Sequence, residues 1–369
     1  MFTTKHFINL FSSSIIGVVS LSFVYKYSLI YFNRPILLAL VYAILFLFVI
    51  LSFDKIKIFP KGTNYNRYFI AAVLLFFLLL LYYIFFTNKV TGSFGLLAIK
   101  NWLNNFFNGT FPYLLKNTFS AYPFFYLIAL PFYTIGSIAL LEICVWAILA
   151  LFLMFNSVTV REKIIKLFLL LVSPLTFYGL FEAPWYFLNA VILIILILLS
   201  DKYLKPDKVD KNFILFAIAF GLFFSVSIEV IAILIIYMFY FFRSNLRELS
   251  LFFEMLLAVF LITIIPFIIW NPILFFINGP LNSFLIIPWW AIILYLGIAI
   301  YIGWLVSDLQ EIFFAVGILI IIPSIINLLF IHDGLSSFIF ALPFLIFSIK
   351  DYKVEKFTGK ILINESSLK

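Results

Sequence analysis

The chain reads as an all-α polytopic membrane protein of about twelve transmembrane helices, with a short re-entrant segment and an outer-face amphipathic helix. Three observations carry that reading. Of 369 residues, 66% are hydrophobic, 51 are Phe and only 11% are charged, more apolar surface than a soluble core can hide. Apolar runs of spanning or near-spanning length follow one another along most of the chain. Lys and Arg gather in short loops between those runs.

In chain order, the runs 8–24 and 36–53 form an N-terminal two-helix addition within residues 1–67. The first has the length of a signal peptide core. It lacks a small-x-small cleavage site and more spans follow, so it is expected to be retained. A transmembrane module then covers 68–349, with runs 68–87, 137–156, 164–180, 184–200, 212–226, 227–242, 249–269, 286–305, 311–330 and 335–349. The stretch 212–242 is too long for one crossing and too short for two comfortable ones. Gly221, Ser225, Ser227 and Glu229 mark a break in its middle. Residues 350–369 form a basic tail.

The basic clusters set the expected orientation. They are Lys55, Lys57, Lys61 and Arg67; Arg161, Lys163 and Lys166; Lys202, Lys205, Lys208 and Lys211; Arg243 and Arg247; and the tail from Lys350 to Lys369. Placing all of them in the cytoplasm puts both termini inside, in a multi-pass protein of the cell membrane. The formal charge of +8 is thereby a topology signal and not the mark of a nucleic-acid partner. Trp185, Trp270, Trp289 and Trp290 then fall near outward span ends, where interfacial Trp is common. Cys144 is alone, so there is no disulfide framework.

Residues 122–135 fit no ordinary span. Pro123 and Pro131 remove backbone donors and restrict their predecessors, so a straight spanning helix is not expected there. A re-entrant piece keeps the charge pattern consistent. Non-helical backbone at such depth requires protein or a water-filled cavity around it.

The loop 88–121 contains the helix candidate FGLLAIKNWLNNFF. Lys100, Asn101, Asn104, Asn105 and Asn108 share one face; Ile99, Trp102, Leu103, Phe106 and Phe107 share the other. Such a helix lies in the interface plane, where it either seals the bundle edge or floors a cavity with amides and one ammonium. The outer face carries only two acids, Glu182 and Asp333, against Lys26, Arg34, Lys89, Lys100 and Lys116, with His332 beside Asp333. A cavity so charged suits an anionic ligand such as a phosphate-linked lipid.

Glu142 and Glu229 lie inside apolar runs, where an ionisable group is a functional candidate. Glu142, near the start of its run, is expected to reach solvent or to pair with another helix. No zinc motif, phosphate loop or nucleophile elbow is present, and His6 and His332 cannot form a bis-histidine haem site in the membrane. No motif implies a cofactor. A divalent metal at the outer carboxylates is the one candidate, and a weak one.

The order of features resembles that of polytopic GT-C-type glycosyltransferases, including the mannosyltransferase-like families that use polyprenyl-phosphate sugars. The residues that carry the resemblance are Asn108, Gly109, Pro112 and Tyr113, then Tyr122, Pro123, Pro131 and Gly136. It continues through Ser173 and Pro174, Glu182, the break from Gly221 to Glu229, WNPILFFING at 270–279, and the segment from His332 to Pro343. All these motifs are short. The resemblance implies sugar transfer from a lipid-linked phosphate donor, a membrane lipid as partner, and a cavity lined by Lys100, Asn101, Asn104, Asn108, Tyr113, Lys116, Tyr122 and His332. The family places an acid in its first outer loop, whereas residues 88–121 have none. Relatives often carry Lys where this chain has Glu229. The base therefore falls to Glu182 or Asp333, or catalysis is lost. The competing readings are a non-catalytic subunit that anchors an envelope or respiratory complex, and a lipid or solute transporter.

Overall fold

The computed structural model describes residues 4–31, 34–52, 65–87, 94–114, 121–157, 159–176, 184–224, 228–280, 288–331 and 335–350, which are helical with no strand among them. In chain order the helices are α1 (Thr4–Tyr31), α2 (Pro35–Ser52), α3 (Tyr65–Thr87), α4 (Phe94–Phe107) and α5 (Pro123–Thr134). Next come α6 (Ala139–Asn156), α7 (Val160–Val172), α8 (Pro184–Tyr203), α9 (Lys211–Phe224) and α10 (Ile228–Phe241). The last are α11 (Leu246–Trp270), α12 (Pro272–Asn278), α13 (Trp289–Leu305), α14 (Leu309–Ile331) and α15 (Leu335–Ser348).

Several of these helices have the composition of a membrane protein. Among the described residues, Phe7–Leu29, Ala139–Asn156, Tyr186–Tyr203 and Leu246–Trp270 are long and apolar enough to cross a bilayer. The sides of α2 and α3 that face away from the bundle expose Ile36, Ile44 and Leu75 at over 60%. Such side chains are at home against lipid tails.

The centre of the bundle is built on α15 and α8. From Phe338 to Ile349 every side chain is buried, as expected of a helix that is apolar all round. α15 packs on α14, α8, α1 and α7, and α8 in turn touches α9, α6, α10 and α4. Polar side chains stitch α1 into this core. Ser12 and Ser348 share a hydrogen bond of 2.8 Å, Ser20 and Ser173 one of 2.9 Å, and Asn9 Nδ2 donates to the Lys350 carbonyl at 2.6 Å. The first helix is thus an integral part of the bundle.

The expectation for residues 122–135 is met in one respect and refined in another. The segment is helical, but α5 has only 12 residues. At 1.5 Å per residue that is about 18 Å, well short of the roughly 30 Å of hydrocarbon. Pro123 occupies the first turn, where its missing donor costs nothing, and Pro131 falls in the last. Gly136 ends the helix at φ 91, with Gly136 N donating to Tyr133 O and Ser137 N to Phe132 O. That paired pattern is a Schellman stop, and it turns the chain directly into α6.

Two further points differ from the sequence reading. WNPILFFING, which falls between two expected spans, contains the seven-residue α12; Asn271 caps it by accepting from Leu274 N at 3.1 Å, and Pro272 follows in the first turn. Lys166, counted among the loop charges, is buried and paired with Glu162 at 2.6 Å, both side chains 3% exposed. In the long stretch 212–242, α9 ends at Phe224 and α10 starts at Ile228, with 14 residues each. The break residues Ser225 and Ser227, and the Glu229 side chain, lie outside the described part.

Candidate functional site

The 94–107 candidate is α4, and it is two-faced over most of its length, although Phe107, expected on the apolar face, is 55% exposed. Ile99, Trp102 and Leu103 are at most 1% exposed, while Lys100 is exposed and Asn101, Asn104 and Asn105 are half-buried. Burying side chains of that size contributes about 1.5–3 kcal/mol each, enough to hold a two-sided helix against the bundle. The polar face stays accessible because amides and an ammonium gain nothing from entering an apolar core.

The end of α4 explains the Asn108–Gly109 pair. Thr110 N donates to Asn105 O at 2.9 Å and Gly109 N to Phe106 O at 3.2 Å, with Gly109 at φ 69. This is again a Schellman stop, in which glycine takes the left-handed position at no steric cost. Asn108 is its cap residue, with an exposed side chain.

The chain then folds back into the bundle. Pro112, Tyr113, Tyr122 and Pro123 are buried. The Tyr113 hydroxyl donates to Ala121 O at 2.8 Å, and Ala121 N donates to the Tyr126 hydroxyl at 3.2 Å. Asn278, the last residue of α12, donates from Nδ2 to the carbonyls of Tyr113 and Leu114, both at 3.2 Å. Burial, with Tyr126 close by, pushes the Tyr113 phenol well above its ordinary range, so it stays neutral. Tyr113 and Tyr122 therefore hold the loop in shape. Tyr113 meets Phe275 edge-on at 5.6 Å and Tyr122 meets Phe260 edge-on at 5.4 Å.

A second tie joins α4 to α5, where the Tyr133 hydroxyl donates to Asn104 Oδ1. Of the cavity residues expected from sequence, Lys100, Asn101, Asn104 and Asn108 lie together on and just after α4. Lys116, Glu182, His332 and Asp333 lie outside the described residues. Among the described residues no group of three His, Cys, Asp or Glu side chains could hold a metal.

Sequence reasoning missed the anchors Tyr133 and Asn278. A lone Tyr in an apolar run and a terminal Asn give no periodic signal, and only their partners reveal them. Glu142 faces the bundle interior, as an ionisable group at that depth should, but it neither reaches solvent nor pairs. The side chain is 1% exposed and both carboxylate oxygens lack a hydrogen-bond partner. Compared with family models, with curated proteins and with solved structures, the chain matches none of them.

Proposed function

We propose that this chain is an integral membrane glycosyltransferase that moves a sugar from a lipid-linked phosphate donor at the outer face. In this reading it crosses the membrane about twelve times, with both termini in the cytoplasm. The observation that supports it best is the polar face of α4. Lys100, Asn101 and Asn104 remain accessible opposite the buried Ile99, Trp102 and Leu103, on a loop clamped by Tyr113, Asn278 and Tyr133. A rigid amide-and-ammonium surface of this kind suits a phosphate group.

Each residue then has a task. Lys100 and Lys116 offset the charge that develops on the departing phosphate. Asn101, Asn104 and Asn108 orient the donor by hydrogen bonds, and the buried tyrosines keep the surface in place. An acceptor hydroxyl attacks the anomeric carbon while a carboxylate takes its proton, Glu182 first and Asp333, with His332 beside it, second.

Transfer from a radiolabelled polyprenyl-phosphate sugar by the purified chain in proteoliposomes tests this. Glu182→Gln keeps the shape, removes the charge and is expected to lower the rate by about 10²–10⁴-fold. Full activity in both Glu182→Gln and Asp333→Asn removes these acids from the chemistry. No transfer by the wild type from any polyprenyl-phosphate sugar overturns the reading. In that case a non-catalytic membrane subunit, favoured by the lack of any acid in 88–121, takes its place.

A further inference from the structure

From Met255 to Ser307 the chain carries no charged side chain. That stretch holds most of α11, the connection after it and all of α13. A connection that leaves the bilayer for water normally carries charge, as Arg243 and Arg247 do at the start of α11. This one does not.

α11 has 25 residues, about 38 Å at 1.5 Å per residue, against roughly 30 Å of hydrocarbon. It completes a crossing by Trp270, so α12 falls at the membrane edge. Asn271 turns the chain there and caps α12 by accepting from Leu274 N.

α12 is two-sided. Phe275 is fully buried and meets Tyr113 edge-on at 5.6 Å. Asn278 Nδ2 donates to the carbonyls of Tyr113 and Leu114, and Trp270 stands edge-on to Phe111 at 5.7 Å. The remaining side is bare. Ile273 is 69% exposed, Ile277 is 54% exposed, and Phe276 between them is exposed as well. The exposed Trp270 and Leu114 adjoin this helix, one by sequence and the other through Asn278.

The bare side prolongs a surface suited to lipid. Leu257, Leu261, Ile265 and Ile269 recur at every fourth residue along the exposed side of α11, and Ile269 is 77% exposed. Scattered apolar side chains at a surface need no explanation, whereas a contiguous apolar surface marks an interaction site. The spanning helix that it prolongs identifies the partner. The backbone agrees with this placement. In water, loop carbonyls and the first N–H groups of a helix find partners freely. Here the side chains of Asn278 and Asn271 serve them, as the backbone requires where water is scarce.

We infer that α12, flanked by Trp270 and Leu114, docks into the acyl-chain edge of the leaflet at the α4 end of the bundle. Its partner is membrane lipid. Ile273, Phe276 and Ile277 enter the hydrocarbon edge, and Trp270 takes the headgroup level, as interfacial indoles do. Asn278 ties this anchor to the loop that follows α4, which is thereby held at a fixed height over the lipid. The contact does not depend on sugar transfer.

The test measures depth in the full chain, with Cys144 replaced by Ser, in nanodiscs of phosphatidylcholine and phosphatidylglycerol. Single cysteines at Ile273, Ile277, Lys100 and Asn108, all exposed positions, each carry a nitroxide spin label. Oxygen, which concentrates in hydrocarbon, and a water-soluble nickel chelate serve as the two relaxing agents. At residues 273 and 277 relaxation by oxygen is expected to exceed relaxation by nickel, and at residues 100 and 108 the order should reverse. Nickel dominating at residues 273 and 277 overturns the proposal, because the surface then faces water. Weak relaxation by both agents at these two positions overturns it as well, because protein then covers the surface and a second copy of the chain becomes the occupant.

Discussion

Trp102 lies flat against Tyr126, ring centroids 4.4 Å apart and planes 6° from parallel. The pair joins the buried side of α4 to the first turn of α5, and Phe267 of α11 closes on the indole at 5.8 Å. One side chain thereby links the loop helix, the short helix and a long spanning helix. The orientation of the polar face of α4 depends on it.

Trp102→Ala is expected to cost about 3–5 kcal/mol, the range for a large aromatic deleted from a packed core. Trp102→Phe should cost clearly less, because an aromatic ring remains to stack on Tyr126. Thermal unfolding in detergent checks both. Equal stability of the alanine variant and the wild type would show that α4 is not held by this contact.

The tie between Tyr133 and Asn104 is measurable as a coupling. Tyr133→Phe and Asn104→Ala each remove it, and the double variant should cost less than the sum of the two. The expected coupling is about 0.5–1.5 kcal/mol, that of one net hydrogen bond. Additive costs would mean that the two side chains do not cooperate in positioning α4.

Which parts of this arrangement were legible in sequence follows from the kind of signal each carries. The limits of α4 are those of the FGLLAIKNWLNNFF pattern, because a two-faced helix at an interface has a strong period and Gly109 stops it. Most apolar runs became helices within three residues of their expected ends, but the run 8–24 extends to Tyr31 and the run 164–180 gives a helix that stops at Val172. The ties of Asn278 to the loop carbonyls of Tyr113 and Leu114 span over 160 residues and leave no local trace. Lys166 looked like a loop charge because neither its burial nor Glu162 as its partner shows in a count of basic residues. Glu142 was legible as an ionisable group facing the bundle interior, but position near a run's end does not reveal whether a partner packs beside it.

Asn278 also gives a topological prediction. Its hydrogen bonds put residue 278 and the end of the α4 loop at the same end of the bundle. In a chain whose native Cys144 is replaced by Ser, cysteines at Asn108 and Asn278 should be labelled together by an impermeant maleimide added outside. A cysteine at Lys205 should stay silent until the membrane is opened. Labelling of only one of the first two positions contradicts the shared end; labelling of Lys205 alone inverts the orientation.

Close helix contact sets a further test on α13. A Cβ at Gly303 would stand 2.8 Å from the Ile236 carbonyl oxygen and 2.8 Å from Phe239 Cβ, so α13 and α10 approach backbone to side chain. Small residues permit that approach in helix pairs within membranes. Gly303→Val should push the helices apart and cost about 1–3 kcal/mol. Gly297, one and a half turns earlier, has nothing within 4 Å of such a Cβ. Gly297→Ala should therefore be neutral or stabilising, and a comparable loss there would mean that the effect at Gly303 is not one of packing.

The last prediction concerns the pair buried in α7. Lys166 Nζ stands 2.6 Å from Glu162 Oε1, with both side chains 3% exposed, and 5.5 Å from the centroid of the Phe347 ring. Thr159 caps the helix by accepting from Glu162 N at 3.1 Å, which fixes the backbone on which the acid stands. Two opposed charges on adjacent turns can share a dry site; either one alone cannot. Lys166→Met should thus cost about 3–5 kcal/mol, because it leaves Glu162 buried without a counter-charge. Glu162→Leu strands the ammonium and should cost a similar amount. The double variant Glu162→Leu, Lys166→Met removes both charges, keeps the volume, and should lie near the wild type or above it. Chemical unfolding of the four proteins in one detergent gives the cycle. If the double variant is as unstable as the sum of the singles, the two residues act separately, and the stability of α7 must come from its packing on α15 and α6 alone.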